Sequence, residues 1–201
     1  MKLFTFVIVA LMISGVAMAA EVPTDAGDKA MVFMFYGLDH LDLGGYGDMS
    51  YSFGMRYYIA DGTALRGGVV LGMDNYTDEV ADMETTYNTY GLELVYEKHM
   101  EAPCASISPF WGLGGQFLTY SDTLKDNVTD DELTFSGTGF GAFGVCGFEW
   151  GFTDCMTLGG EYRLGFSSGS GEAELNGDSA DLFSSTTTGF SATSVFLSVY
   201  W

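Results

Sequence analysis

The chain has 201 residues, and its 27 Asp and Glu against 7 Lys and Arg give a formal net charge of −20. Such a polyanion repels nucleic-acid phosphates, which argues against a nucleic-acid partner. Aromatic residues make up 15% and glycines number 28, which is roughly twice the usual glycine share of about 7%. Neither a disordered acidic tail nor a helical protein fits this composition.

The first nineteen residues predict an export signal. Lys2 gives a positive start, residues 3–13 are apolar, and Ala17-Met18-Ala19 forms an A-x-A cleavage motif. We therefore expect cleavage after Ala19, and an uncleaved N-terminal membrane anchor is the alternative. No later segment is apolar enough to predict a membrane helix.

Alternation of apolar and polar residues recurs along the rest of the chain and predicts eight β-strands. Tight turns alternate with longer polar connections, which lie near residues 39–48, 75–86, 120–134 and 167–187. This order predicts an all-β fold, an antiparallel up-and-down barrel that closes on itself. The strands are predicted at residues 30–38, 49–60, 64–74, 87–99, 108–119, 135–151, 155–166 and 188–201.

The direction of the side chains along these strands indicates which solvent the barrel faces. On the second strand, Phe53, Met55 and Tyr57 alternate with Ser52 and Gly54, and other strands repeat this alternation. The small polar face fits a narrow interior and the bulky apolar face fits lipid, which predicts an eight-stranded transmembrane β-barrel. A soluble lipocalin-like carrier, with the two faces exchanged, is an alternative. The expected organisation is a signal peptide over residues 1–19, a short periplasmic leader over 20–29 and an outer-membrane barrel over 30–201.

Charged residues on the inward face are expected to pair, because an unpaired charge in a narrow lumen is costly. Two interpretations stay open for them: a structural network that fills the lumen, or a gate or ion path. The seven inward charges are Arg56, Arg66, Glu93, Glu97, Glu149, Glu161 and Arg163.

Acidic residues concentrate in and beside the four longer connections, where Lys125 is the only lysine or arginine. The third connection offers weak oxygen-ligand candidates in Asp126, Asp130, Asp131 and Glu132, but no connection has the calcium-loop spacing D-x-[DN]-x-[DN]-G. We therefore expect no specific metal site and no cofactor. Weak association of Ca²⁺ or Mg²⁺ would bridge these acids to lipopolysaccharide, an expected partner together with the other outer-membrane lipids.

Cysteines and histidines offer few catalytic options. Cys104 and Cys155 fall on neighbouring short turns, where a disulfide is feasible in an oxidising compartment, and Cys146 has outward parity. His40 lies in the first longer connection near serines and acids, but no motif positions a nucleophile beside it. We therefore predict no catalytic residue.

The last seven residues, 195–201 with the sequence VFLSVYW, resemble the C-terminal signal of bacterial outer-membrane barrels, with Trp201 where that family usually ends in Phe. Residues 56–66, 108–115 and 149–163 resemble hairpins and turns of OmpA/OmpX-like and opacity-type barrel domains. The resemblance covers residues 30–201 and implies a place in the bacterial outer membrane. It also implies that the barrel-assembly machinery binds the C-terminal strand, and it is specific for architecture rather than activity.

The function expected from these features is non-enzymatic. A small, monomeric barrel with acidic extracellular loops would serve surface contact, adhesion or envelope integrity. A narrow OmpW-like channel for small or apolar solutes is one alternative. An outer-membrane lipid hydrolase or acyltransferase that uses His40 is another.

Overall fold

The structure, a computed structural model, describes residues 20–36, 50–78, 83–129, 131–176 and 178–201. Its eight strands form a closed antiparallel barrel, in which each strand pairs with the next and the last returns to the first. This confirms the predicted up-and-down barrel. None of the described residues forms a helix that could cross a membrane. The strands are β1 (Lys29–Tyr36), β2 (Ser50–Ala60), β3 (Thr63–Asp78), β4 (Met83–His99), β5 (Ile107–Asp126), β6 (Asp131–Thr153), β7 (Met156–Leu175) and β8 (Asp178–Tyr200).

Three predicted features lie outside the described residues. They are the signal peptide over residues 1–19, the first longer connection with His40, and the metal-ligand candidate Asp130. The predicted leader is described from Ala20 onward.

Strands β3 to β8 are longer than the sequence predicted, so the predicted bounds of the second, third and fourth longer connections are wrong. Pairing continues to Asp126 and Asp131 in the β5–β6 hairpin and to Leu175 and Asp178 in the β7–β8 hairpin. Polar residues and glycines lie on both faces here, so the alternation that marks a half-buried strand is lost, although threonine still favours extended backbone. β6 and β8 each have 23 residues. A transmembrane strand needs only about 9–11, so these hairpins extend well beyond a bilayer.

The opposite end of the barrel consists of short connections, as predicted, and we call it the short-turn end. Residues 61–62, 100–106 and 154–155 form these connections. Gly62 has a φ of 62°, and a Cβ there would lie 3.0 Å from the carbonyl oxygen of His99. Glycine adopts this left-handed conformation without strain, which explains its place in the β2–β3 turn.

The outer surface between the two ends is apolar. Leu92, Leu94, Leu113 and Phe140 project outward, and their exposed fractions range from 59% to 63%. The predicted inward charges are instead buried. This inversion of a soluble barrel is the arrangement of a transmembrane barrel, whose outer face carries an apolar band about 25 Å tall.

The inward face is crowded, and glycine makes room where an aromatic ring crosses the lumen. Phe196 on β8 is fully buried, and a Cβ at Gly159 on β7 would overlap its ring. The next residue, Gly160, has outward parity, and the nearest atom to a Cβ there is 3.7 Å away. The two neighbouring glycines therefore differ in whether the fold tolerates a side chain.

Gly159→Ala is expected to destabilise the barrel by about 1–3 kcal/mol, because the added methyl group overlaps the buried Phe196 ring. Gly160→Ala is the matched control, with an expected change below about 0.5 kcal/mol. Urea unfolding in detergent micelles measures both free energies. Equal effects of the two variants would contradict the inward packing of Phe196 against Gly159.

Candidate functional site: a filled lumen and an N-terminal strap

Two arginines and one glutamate meet inside the lumen. Arg56 on β2 and Arg66 on β3 are directly opposite each other in the sheet, and Glu97 on β4 lies between their side chains. Glu97 Oε2 is 2.7 Å from Arg56 Nε, and Glu97 Oε1 is 3.0 Å from Arg66 Nε. These two contacts lack hydrogen-bond geometry, so they are ion pairs. All three side chains are buried.

Each of these arginines also binds a second glutamate. Arg56 Nη1 donates to Glu149 Oε2 on β6 at 2.7 Å. Arg66 Nη2 donates to Glu161 Oε2 on β7 at 2.8 Å. Because the partner strands are not neighbours in the sheet, these hydrogen bonds connect opposite walls across the lumen.

A third arginine extends the series. Arg163 on β7 donates from Nε to Glu161 Oε1 at 2.5 Å and from Nη1 to Glu93 Oε2 at 2.8 Å. The structure thus brings all seven predicted inward charges into one alternating chain, in which every arginine lies between two glutamates. We call this chain the interior charge network. Its order is Glu149, Arg56, Glu97, Arg66, Glu161, Arg163, Glu93.

The two glutamates at the ends of the network each pair with one arginine, and hydroxyl groups donate further hydrogen bonds to them. Glu93 accepts hydrogen bonds from Tyr36 Oη at 3.0 Å and from Ser52 Oγ at 3.1 Å. Glu149 accepts from Tyr200 Oη at 3.1 Å and from a threonine hydroxyl on β7. Buried carboxylates need such partners, so the hydroxyls are part of the same structure.

Aromatic rings pack against the guanidinium groups. The ring centre of Phe196 lies 5.4 Å from Arg56 Cζ and 5.9 Å from Arg66 Cζ. The ring centre of Phe143 lies 4.6 Å from Arg163 Cζ. These separations are within the range of about 6 Å for cation–π attraction. Packed side chains therefore occupy the lumen at this level.

Sequence reasoning missed His99, which lies beside the network. Its Nε2 is 3.1 Å from Tyr58 Oη and its Nδ1 is 2.9 Å from Ser108 Oγ, while its ring stacks on Phe110. Inward parity shared with Glu97, two residues earlier, is the feature that could have identified it. The serine–histidine contact is similar to part of a hydrolase triad. However, Ser108 is 6% and His99 5% exposed, so both are packed in the interior rather than open to a substrate.

The predicted leader docks against the short-turn end, which the sequence did not indicate. We call residues 20–28 the N-terminal strap, because β1 begins at the following residue. The amide of Ala20 donates to the carbonyl of Gly151 at the end of β6 (3.0 Å). The amide of Val22 donates to the carbonyl of Ala105 in the β4–β5 connection (3.1 Å).

The N-terminal strap also binds the β2–β3 turn. The carbonyl of Thr24 accepts from the amide of Gly62 at 2.8 Å, and Asp61 Oδ1 accepts from the amide of Ala26 at 3.0 Å. The Val22 side chain is 5% exposed, so the strap is packed as well as hydrogen-bonded. The strap joins the β2–β3 turn, the β4–β5 connection and the end of β6, and it thereby covers that mouth of the barrel.

The cysteines are free thiols, so the disulfide between Cys104 and Cys155 that the sequence left feasible is not formed. Cys104 Sγ lies 2.9 Å from Ser106 Oγ, and Cys155 Sγ lies 3.8 Å from Thr153 Oγ1. Each thiol contacts the hydroxyl of a residue two positions away in the chain instead of the other thiol. The hydrogen bond with Ser106 lowers the pKa of Cys104.

The weak metal-ligand candidates close turns at the tips of the hairpins. Asp126 Oδ1 accepts from the amides of Val128 (2.8 Å) and Thr129 (3.3 Å), which lowers the pKa of Asp126. Asn176 Nδ2 donates to Asp131 Oδ1 at 2.8 Å, and Asn176 Oδ1 accepts from the Glu132 amide at 2.9 Å. Within the described ranges, no group of three or more His, Cys, Asp or Glu is arranged to hold a metal ion.

Comparisons with known proteins identify the fold. No protein-family model matches the chain, and none of the curated proteins matches it. A major outer membrane protein from Thermus thermophilus is 13% identical, with a TM-score of 0.58 over 88% of this chain and 100% of that chain. The attachment invasion locus protein Ail of Yersinia pestis is 10% identical, with a TM-score of 0.50 over 87% of this chain and 98% of that chain.

This chain has the fold of the small eight-stranded outer-membrane β-barrels. Its apolar outer face and buried inward charges are those of a barrel that spans a bilayer. The protein is therefore an integral outer-membrane protein. In such barrels the short turns face the periplasm and the longer connections face outward, so we expect the N-terminal strap to lie on the periplasmic side.

Glu97→Gln is expected to destabilise the barrel by about 3–5 kcal/mol, because Arg56 and Arg66 would lose the carboxylate that they share while staying buried. Glu174→Gln, on the exposed part of β7, is the control and is expected to change stability by less than about 0.5 kcal/mol. Urea unfolding in micelles compares the two. A Glu97→Gln variant as stable as the native protein would show that the interior charge network contributes little.

Proposed function

We propose that the protein is a non-enzymatic outer-membrane barrel that serves surface contact, adhesion or envelope integrity. The observation that carries this proposal is the contrast between a filled lumen and protruding hairpins. The interior charge network fills the lumen and the N-terminal strap covers its periplasmic mouth. The outer wall and the hairpins are the surfaces left for function, which disfavours the OmpW-like channel.

The hairpins support a contact role because their outward surface is acidic toward the tips. Glu132 on β6 and Glu172 and Glu174 on β7 are exposed there. A negatively charged surface attracts cationic partners and repels anionic ones unless divalent cations lie between them. The proposed partners are therefore cationic surfaces, and lipopolysaccharide through Ca²⁺ or Mg²⁺.

The alternation of outward and inward residues on the C-terminal strand supports a further proposed partner, the barrel-assembly machinery. Val195, Leu197 and Val199 pair with the outward positions of β7, while Phe196 and Tyr200 are buried inward. The final residue is exposed, and its amide donates to the first residue of β1. We expect the folded barrel to be a monomer.

The purified protein is expected to show no ionic conductance in planar bilayers, because the interior charge network and the N-terminal strap form two barriers in series. Val22→Asp detaches the strap by charging its buried anchor, and the pair Glu161→Gln and Arg163→Met opens the network. We expect measurable conductance only when all three changes are combined. Glu21→Gln, at an exposed strap position, is the control for Val22→Asp. A native protein that conducts would favour the solute channel instead.

Replacing residues 124–133 with an Asn-Gly turn would shorten the β5–β6 hairpin at the Thr123–Thr134 pair. We expect cells that display the shortened barrel to lose adhesion to a cationic surface while the barrel stays folded, because the acidic tip is removed. Detergent sensitivity of the same cells, compared with cells that lack the barrel, measures envelope integrity. If neither adhesion nor detergent sensitivity differs among these cells, the proposed function is wrong.

A further inference from the structure

The outward face directly above the lipid band is uncharged on three neighbouring strands, in a chain with 27 acids. The last apolar outward residues are Phe117 on β5, Phe140 on β6 and Phe166 on β7. The next two outward positions on each strand, toward the hairpin tips, carry only hydroxyl side chains. We call these six residues the hydroxyl collar: Thr119, Ser121, Ser136, Thr138, Ser168 and Ser170.

The hydroxyl collar is one continuous surface. Thr119 pairs with Thr138, and Thr138 pairs with Ser170 on the next strand. Paired residues lie about 5 Å apart and successive outward positions about 7 Å apart, so the hydroxyls form a closely spaced lattice. Thr119, Thr138 and Ser170 are exposed.

Charge first reaches the hydroxyl collar on β7, where Glu172 pairs with Ser136. The first outward charged residues are Lys125 on β5, Glu132 on β6 and Glu172 on β7. Three uncharged outward positions precede the first charge on β5 and on β6, and two precede it on β7. The headgroup layer on each side of a bilayer is about 5–8 Å thick, so these positions cover it on all three strands. The headgroup layer therefore meets uncharged hydroxyl side chains on all three strands.

We propose that the hydroxyl collar binds the sugar headgroups of glycolipids in the outer leaflet. Its position requires a lipid headgroup as its neighbour, because the collar starts where the apolar band ends. Hydroxyls donate and accept hydrogen bonds, as sugars do. A phosphate would instead be matched by arginine or lysine, and the collar has neither. This inference rests on the outer-membrane location and is independent of the contact role of the hairpins.

Two double variants test the proposal on the same pair of strands. Thr119→Val with Thr138→Val removes collar hydroxyls from β5 and β6. Thr123→Val with Thr134→Val removes hydroxyls two outward positions higher and is the matched control. Each double variant keeps β-branched shape, and each removes one hydroxyl hydrogen bond: Thr119 to a carbonyl of β6, and Thr123 with Thr134.

The proteins are refolded into phosphatidylcholine vesicles that contain one of two test lipids. Digalactosyl diacylglycerol has a sugar headgroup without phosphate, and phosphatidylglycerol has a negatively charged phosphate without a sugar ring. The readout is the temperature at which the compact folded band is lost on unboiled gels. We expect the galactolipid to raise this temperature by about 5 °C for the native protein and the control variant. The collar variant is expected to lose more than half of that increase.

Three outcomes would overturn the proposal. The native protein would show no increase with galactolipid, both double variants would lose the increase equally, or phosphatidylglycerol would raise the temperature as much as the galactolipid does. The last outcome would assign the effect to the anionic phosphate. None of these results depends on adhesion or on conductance, so a failure here is distinct from a failure of the proposed function.

Discussion

The rest of the structure depends on neutralising charge inside a narrow ring of eight strands. Three arginines each lie between two glutamates, so the alternating chain begins and ends with a carboxylate. Those terminal groups, Glu93 and Glu149, are the ones that receive tyrosine hydroxyls. Breaking one link would leave a buried charge without its partner, so the pairs are interdependent rather than additive. The demand for space explains the small residues on the inward face, such as Gly159 beside the ring of Phe196.

The two closures of the barrel use different chemistry. The interior charge network closes the lumen with ionised side chains from β2, β3, β4, β6 and β7. The N-terminal strap closes the mouth at the short-turn end mainly with backbone amides and carbonyls, such as those of Ala20 with Gly151 and of Val22 with Ala105. Backbone hydrogen bonds do not depend on side-chain ionisation, whereas the network does. We therefore expect a change in charge inside the lumen to leave the strap in place, and detachment of the strap to leave the ion pairs in place.

Period-2 alternation was enough to predict the strand number, the lipid-facing side and the seven inward charges. It could not predict the order of pairing, because Arg56 and Glu149 lie on β2 and β6 and meet only across the closed lumen. The predicted strand ends toward the hairpin tips were wrong. A sheet with water on both faces has no apolar face, so the sequence there shows no alternation that would mark a strand. His99 was missed although it shares the parity of Glu97. The docking of the strap was not predictable, since residues 20–28 show no alternation and bind through the backbone.

The placement of arginines inside the lumen also determines the net charge of the outer surface. Three of the 7 lysines and arginines are the arginines of the lumen, and Lys98 is bound at the short-turn end by Thr63 and the carbonyl of Asp61. The outward hairpins are left acidic, with their tips about 30 Å of strand beyond the last apolar residue of β5. At physiological salt the Debye length is about 8 Å, so the acidic tips and the membrane surface are electrostatically separate. The uncharged hydroxyl collar fills the interval between them. Lipid contact and contact with partners outside the cell can therefore be changed independently, on different parts of the same strands.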